Sequence, residues 1–185
     1  MSVKCSVFIA TSMDGFIARQ DGGLDWLPGS DGESSETDED HGYSEFFASI
    51  DALVMGRHTY EMVCSFGEWP YTKEVIVMSR AYPRELVELR EGVKGTSLSP
   101  QELLARLAEN GIRHVYVDGG RTIQGFLAAG LIQEMTITRI PVLIGEGIPL
   151  FGPLDDDIQL QHLGTKAYAN GLVQSRYAVM DGKPE

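Results

Sequence analysis

HVYVDGGRTIQGFLAAG, residues 114–130, opens as a strand and closes as a helix. Val115-Tyr116-Val117 is a short apolar run of strand type. Ile123, Phe126 and Leu127 then share one face at helical spacing, and Gly130 supplies a stop. The hand-over runs through Asp118-Gly119-Gly120. Two glycines in a row let a backbone or a ligand come closer than any Cβ allows. They also leave the first N–H groups of the helix free, where anions bind. On this stretch alone, a tight turn and an anion site stand equally.

The same break recurs twice upstream. In MGRHTYE (55–61) the buried run Ala52–Met55 ends at Gly56, and Arg57-His58-Thr59 stand where a helix begins. Free N–H groups, a hydroxyl and a guanidinium there describe a phosphate site, unless Arg57 is taken by nearby carboxylates. In VIVMSRAYP, Ser79-Arg80 follow the strand Val75–Met78, and Arg80 is either a terminal-phosphate contact or solvated. Ligands of open parallel sheets sit beyond the carboxyl ends of the strands, so the three breaks should face one crevice. Three anion contacts suit a long phosphorylated ligand such as a dinucleotide. The GxGxxG fingerprint of the ordinary dinucleotide fold is absent.

Further strands are expected at Val3–Ala10 and Met135–Ile144, and helices at 42–49, 59–65, 100–110 and 122–129. The clearest helix is SPQELLARLAENG, with Ser99 as N-cap, Pro100 in the first turn and Glu102 completing a capping box. Alternating strands and helices predict an α/β domain, 1–185, on a mostly parallel sheet. Near the end, Asn170-Gly171 between two extended stretches predicts an antiparallel hairpin.

The chain has 185 residues and carries 15 basic against 27 acidic residues, a net charge of −12 that disfavours nucleic-acid binding. No apolar run reaches the ~20 residues of a membrane span. The N-terminus lacks the long apolar region of a signal peptide, so a cytoplasmic location is expected. Cys5 and Cys64 show no CxxC spacing and the four histidines no pairing, so no metal is expected. SDGESSETDEDHG (30–42) has six carboxylates and no large apolar residue, and reads as a solvated loop.

Taken together, SMDGFIA (12–18), DWLP (25–28), DALVMGRHTYE (51–61), VMSR (77–80), VDGGRTIQGFLAAGLIQEM (117–135) and TRIPVLIGEGIPLF (138–151) cover nearly the whole chain. The sequence resembles the dihydrofolate reductase superfamily, and within it the reductase domain of riboflavin biosynthesis and its stand-alone relatives. The resemblance implies a dihydrofolate reductase-like fold, NADPH as hydride donor, a small heterocyclic substrate of pteridine or pyrimidine type, and a homodimer. Folate reduction itself and non-catalytic NADP binding are the alternatives.

By the same resemblance, Gly56, Arg57 and Thr59 contact the phosphate region, and Ser79 and Arg80 lie near the adenosine ribose and its 2′-phosphate. Gly119, Gly120, Arg121 and Thr122 wrap the pyrophosphate, so Gly120→Val should block the cofactor and leave the fold intact. Ala10 and Ile17 flank the nicotinamide. Trp26, Tyr43, Phe47 and Thr138 fall on the substrate side. Dihydrofolate reductases also carry an acidic residue on the first helix, ahead of a phenylalanine. Counting back from Phe46 or Phe47 puts Gly42 or Tyr43 there, which leaves Asp40, out of register, and Trp26 as catalytic candidates. The riboflavin reductases are usually fused to a zinc deaminase, and its HxE…PCxxC pattern is absent from this chain.

Overall fold

The computed structural model describes residues 2–28, 40–81 and 89–180. In chain order the elements are β1 (Lys4–Ser12), β2 (Phe16–Ala18), α1 (Tyr43–Ser49), β3 (Ala52–Gly56), α2 (Arg57–Ser65), β4 (Glu74–Met78) and β5 (Val93–Thr96). There follow α3 (Pro100–Glu109), β6 (His114–Asp118), α4 (Gly120–Ala128), β7 (Glu134–Ile140), β8 (Ile148–Pro149), β9 (Leu160–Ala167) and β10 (Val173–Val179). One sheet runs in the order β5-β4-β3-β6-β1-β7-β10-β9, and β2 pairs with β8 apart from it. From β5 to β7 every pairing is parallel, while β10 and β9 join antiparallel.

Strands covered on both faces read as unbroken apolar runs, and Ala52–Met55, Val75–Val77 and Val115–Val117 are all buried. Their alternate side chains feed two cores. Val54, Ile76, Val115 and Val117 pack with Leu103, Leu104 and Leu107 of α3 and Ile123 and Phe126 of α4. Leu53, Met55, Val75, Val77 and Tyr116 face Tyr60 of α2 and the aromatic side chains of α1. The sheet is therefore a middle layer between two pairs of helices.

Local signals act as expected. Ser99 and Glu102 form the full capping box, with the Ser99 N–H donating to Glu102 Oε2 at 2.9 Å. Between β9 and β10, Gly171 takes φ +87° and the Leu172 N–H donates to Asn170 Oδ1. Strand β7 stops at Ile140, short of the expected Ile144, because Pro141 has no N–H for the ladder. Strand β5 (VKGT) carries no apolar run that would signal it, being a short edge strand.

The register of β1 opens the site. This strand pairs with β6 only from Lys4 to Ser6, opposite His114 to Tyr116. With β7 it pairs from Ser6 to Ser12. Strand β6 continues instead beside β3, Met55 lying opposite Asp118. Two neighbouring parallel strands thus diverge over their C-terminal halves. The Tyr116 hydroxyl bridges the start of the divergence and donates to the Phe8 carbonyl at 2.8 Å, which supplies that strand acceptor with a donor.

Candidate active site

The phosphate-type breaks sit at the C-terminal ends of the parallel strands. Helix α2 begins directly after β3, and α4 directly after β6; neither N-cap, Gly56 or Gly119, provides a side-chain cap. Because β3 and β6 are neighbours, the two helix starts lie side by side. A Cβ on Gly56 would fall 2.9 Å from Thr122 Oγ1, and one on Gly119 (φ +89°) would overlap Thr59 Oγ1. The glycines allow this close approach. Two sets of N-terminal N–H groups and two positive dipole ends then lie together, with the hydroxyls of Thr59 and Thr122 beside them.

Gly120 corrects an expectation. A Cβ there would lie 3.1 Å from Ile17 Cδ1, 3.1 Å from the Pro149 carbonyl oxygen and 3.3 Å from Ile148 Cγ2. Its immediate neighbours are protein atoms of the β2–β8 pair. Valine at this position would crowd that pair, so the substitution would disturb packing here as well. Ile17 packs on the α4 start and joins the main core.

Other cofactor candidates take distinct places. Arg57 Nε lies 3.2 Å from Glu61 Oε1 one turn along α2, so a neighbouring carboxylate already answers part of its charge. Ser79 follows β4, its N–H bonded to the Thr96 carbonyl, and Arg80 beside it is exposed. Arg121 is exposed on the first turn of α4. Ala10 lies across the divergence on β1, in contact with a group containing Trp26, Leu27, Ile140 and Tyr168.

The α1 side of the crevice is aromatic. The Tyr43 ring meets Phe8 edge-on at 5.6 Å and Phe47 at 5.8 Å, and Phe46 stacks on Phe8 at 5.0 Å. Burial, and then the charge of Asp118, push the Tyr43 phenol up to about 12. On β7, opposite Ala10, the buried Thr138 Oγ1 accepts from Gln174 Nε2 at 3.0 Å.

Asp40 does not act as a buried acid. It is exposed, and its carboxylate accepts the N–H groups of Gly42 (2.9 Å) and Ser44 (2.8 Å) at the start of α1. With the Ser44 hydroxyl and these backbone bonds it is held down at about 2. From two residues ahead of the N-cap Gly42 it thus satisfies N–H groups at the helix start. The rest of the acidic segment lies outside the described residues.

Asp118 is the acid the sequence reading passed over. It ends β6, where β1 has already parted from that strand, and is half-buried. Burial pushes its carboxyl up to about 6, against the lowering effect of the Gly119 N–H, which donates to Oδ1 at 2.8 Å. Its charge in turn raises Tyr43, Tyr71 and Tyr116. A carboxylate at the carboxyl end of a buried strand is a costly placement and a visible signal. In the sequence it had been read only as part of a turn.

A mostly parallel sheet split beside its central strand, with helix N-termini converging at the split, defines a dihydrofolate reductase-like fold. Within it, residues 4–174 match the family described as RibD C-terminal domain. The chain belongs to that family, a family of reductase domains. It is 34% identical over 174 residues to YwjB, an uncharacterized protein of Bacillus subtilis strain 168, covering 93% of this chain and 96% of that one. A candidate riboflavin biosynthesis protein from Shewanella sp. PV-4 superimposes with a TM-score of 0.86 at 38% identity, over 97% of this chain and 99% of that one. The diaminohydroxyphosphoribosylaminopyrimidine deaminase/5-amino-6-(5-phosphoribosylamino)uracil reductase of Thermotoga maritima shares the fold (TM-score 0.71, 14% identity). The alignment covers 97% of this chain and 57% of that longer one.

Proposed function

We propose that this protein is an NADPH-dependent reductase of a small heterocycle of pyrimidine or pteridine type. The observation that carries this reading is the divergence of β1 from β6, with Asp118 on one wall and uncapped helix starts at its rim. The N-termini of α2 and α4, with Thr59 and Thr122, hold the pyrophosphate. Arg80 meets the 2′-phosphate, and Ala10 and Ile17 flank the nicotinamide. When bound, the cofactor supplies a hydride. The substrate ring lies between β1 and α1, against Tyr43 and Phe47. Asp118, neutral below about pH 6, gives its proton to the oxygen or nitrogen of the carbonyl or imine whose carbon takes the hydride. The same reading has the protein working as a homodimer, which light scattering on the purified protein would report.

The test is NADPH oxidation in the presence of aminopyrimidines, pterins, dihydrofolate and small carbonyls. Dihydrofolate should be a poor substrate, because α1 offers the phenol of Tyr43 and the N-cap Gly42 where a carboxylate would hold the pterin. Turnover near the ordinary enzyme rate of about 10 per second would overturn that expectation. NADPH should bind more tightly than NADH, and Arg80→Ala should narrow the ratio about tenfold, the loss of one charge-assisted contact. Equal affinities in the wild type, or an unchanged ratio in the variant, would remove Arg80 from the site.

A further inference from the structure

We infer that Tyr116 is a positioning residue for the reduction: its side chain spans the split between β6 and β1 and fixes the strand carrying Ala10 relative to the strand carrying Asp118. This rests on the reductase reading above and names the residue that keeps the two halves of the chemistry in register. On that reading two transfers meet on one substrate. A ring carbon takes a hydride from NADPH, which becomes NADP⁺, and the oxygen or nitrogen bonded to that carbon takes a proton from Asp118, which becomes a carboxylate. The nicotinamide lies against β1 and the acid ends β6. The gap between these strands therefore decides whether both transfers reach.

Edge alternation shows where the gap begins. Successive residues of a strand between two parallel neighbours turn their N–H and C=O groups to opposite sides. The Lys4 N–H donates to the Arg113 carbonyl at 2.8 Å, on the β6 side, and the Cys5 carbonyl accepts the Gln133 N–H at 2.9 Å, on the β7 side. By the same alternation Ser6 and Phe8 face β6. Ser6 still pairs there, opposite Tyr116, and Phe8 lies beyond the last paired position. A side chain meets its carbonyl instead: the Tyr116 hydroxyl donates to it at 2.8 Å. The phenol thus stands in for a ladder N–H where β6 and β1 no longer pair.

The strut is held from both ends. Tyr116 is buried, and its ring meets Phe46 edge-on at 5.1 Å while Phe46 stacks on Phe8 at 5.0 Å. The hydroxyl and the ring therefore restrain the same residue of β1 by two routes. Burial, then the charge of Asp118, hold the phenol well above its usual range, so it stays a proton donor at neutral pH. Each end of the strut lies two residues short of the chemistry: Asp118 follows Tyr116 on β6, and Ala10 follows Phe8 on β1. Without the hydroxyl, the Phe8 carbonyl loses its donor and its peptide turns toward another, carrying Ala10 with it. A misplacement of about 1 Å between reacting groups costs up to about 100-fold in rate.

The test compares wild type, Tyr116→Phe and Leu104→Ala, the last a core truncation in α3 on the opposite face of the sheet. Tyr116→Phe removes one oxygen and keeps the ring against Phe46, so the fold is retained. Each protein is given NADPH, or NADPH deuterated at the transferable position, with whichever aminopyrimidine or pterin the wild type reduces fastest. Tyr116→Phe should lose about 10- to 100-fold in kcat while KM and NADP⁺ affinity stay within about twofold, because the spacing matters in the transition state. Its deuterium isotope effect should rise as hydride transfer becomes the slow step. The Phe8 carbonyl-carbon and Ala10 amide resonances should move in Tyr116→Phe. Leu104→Ala, held below its melting temperature, should keep both resonances and the wild-type rates. Unchanged kcat and isotope effect in Tyr116→Phe, unmoved resonances, a loss in NADP⁺ affinity in place of kcat, or an equal rate loss in Leu104→Ala overturns the assignment. Wild type that binds NADPH yet reduces nothing in the panel overturns the reductase reading, and the assignment with it.

Discussion

Asp118→Asn is expected to lower turnover by about 100-fold or more, the usual contribution of a positioned proton donor, while making the protein more stable above pH 6. Both effects follow from one carboxyl. Its folded-state value is raised from 3.8 to about 6 by burial, so the native state disfavours the ionised form. The stability this group contributes is complete below about pH 4 and is lost as pH rises through about 6. Above that range the wild type carries a penalty of up to about 3 kcal/mol. Asparagine keeps an oxygen for the Gly119 N–H and removes the charge. Thermal melts across this range should show the variant gaining on wild type between about pH 4 and 6, then holding a constant lead. Wild-type kcat/KM should fall above about pH 6 as the proton is lost. A variant that is less stable at pH 8, or one that keeps the wild-type rate and pH profile, would remove Asp118 from the mechanism.

The second large effect belongs to Gly119. Alanine there must adopt φ +89° and place its methyl on Thr59 Oγ1. Strain in that backbone region costs about 1–3 kcal/mol, and crowding a packed contact about as much again. Gly119→Ala should therefore lose about 3 kcal/mol of stability and separate α2 from α4, which weakens NADPH binding further. Thr59→Ser removes a methyl but leaves the hydroxyl, and should give no relief. Thr59→Gly, combined with Gly119→Ala, should recover the crowding part and leave the strain. Denaturant melts of the single and double variants measure the coupling directly. Strictly additive losses would mean that the two helix starts do not meet through Thr59.

Much of this architecture was legible because it is written locally. The capping box at Ser99 and Glu102, the Asn170-Gly171 turn and the unbroken apolar strands each depend on neighbours within a few residues. Register is a different kind of information. That β1 leaves β6 after Ser6 and stays with β7 to Ser12 depends on partners more than 100 residues away, and no pattern in FIATS encodes it. The crevice, which is a consequence of that register, was inferred only from strand ends and family resemblance.

The site residues divide in the same way. Glycines at strand–helix junctions were visible, but what they approach was not: Gly120 faces Ile17 and Pro149, segments remote in sequence. Asp40 drew notice by lying near the first helix, yet its nearest unpaired groups were the N–H donors of that helix, and capping claimed it. Asp118 lay inside the most closely read stretch. Its burial, which makes it an acid near neutrality, is a result of tertiary packing that its neighbours in sequence do not reveal.

The most direct measurement is the mass of the products formed when a panel of aminopyrimidines and pterins is incubated with NADPH carrying deuterium at the transferable position of the nicotinamide. The account predicts a reduced product heavier by one deuterium, formed by the wild type below about pH 6 and nearly lost in Asp118→Asn. NADPH that binds but transfers no deuterium to any aminopyrimidine or pterin would contradict it.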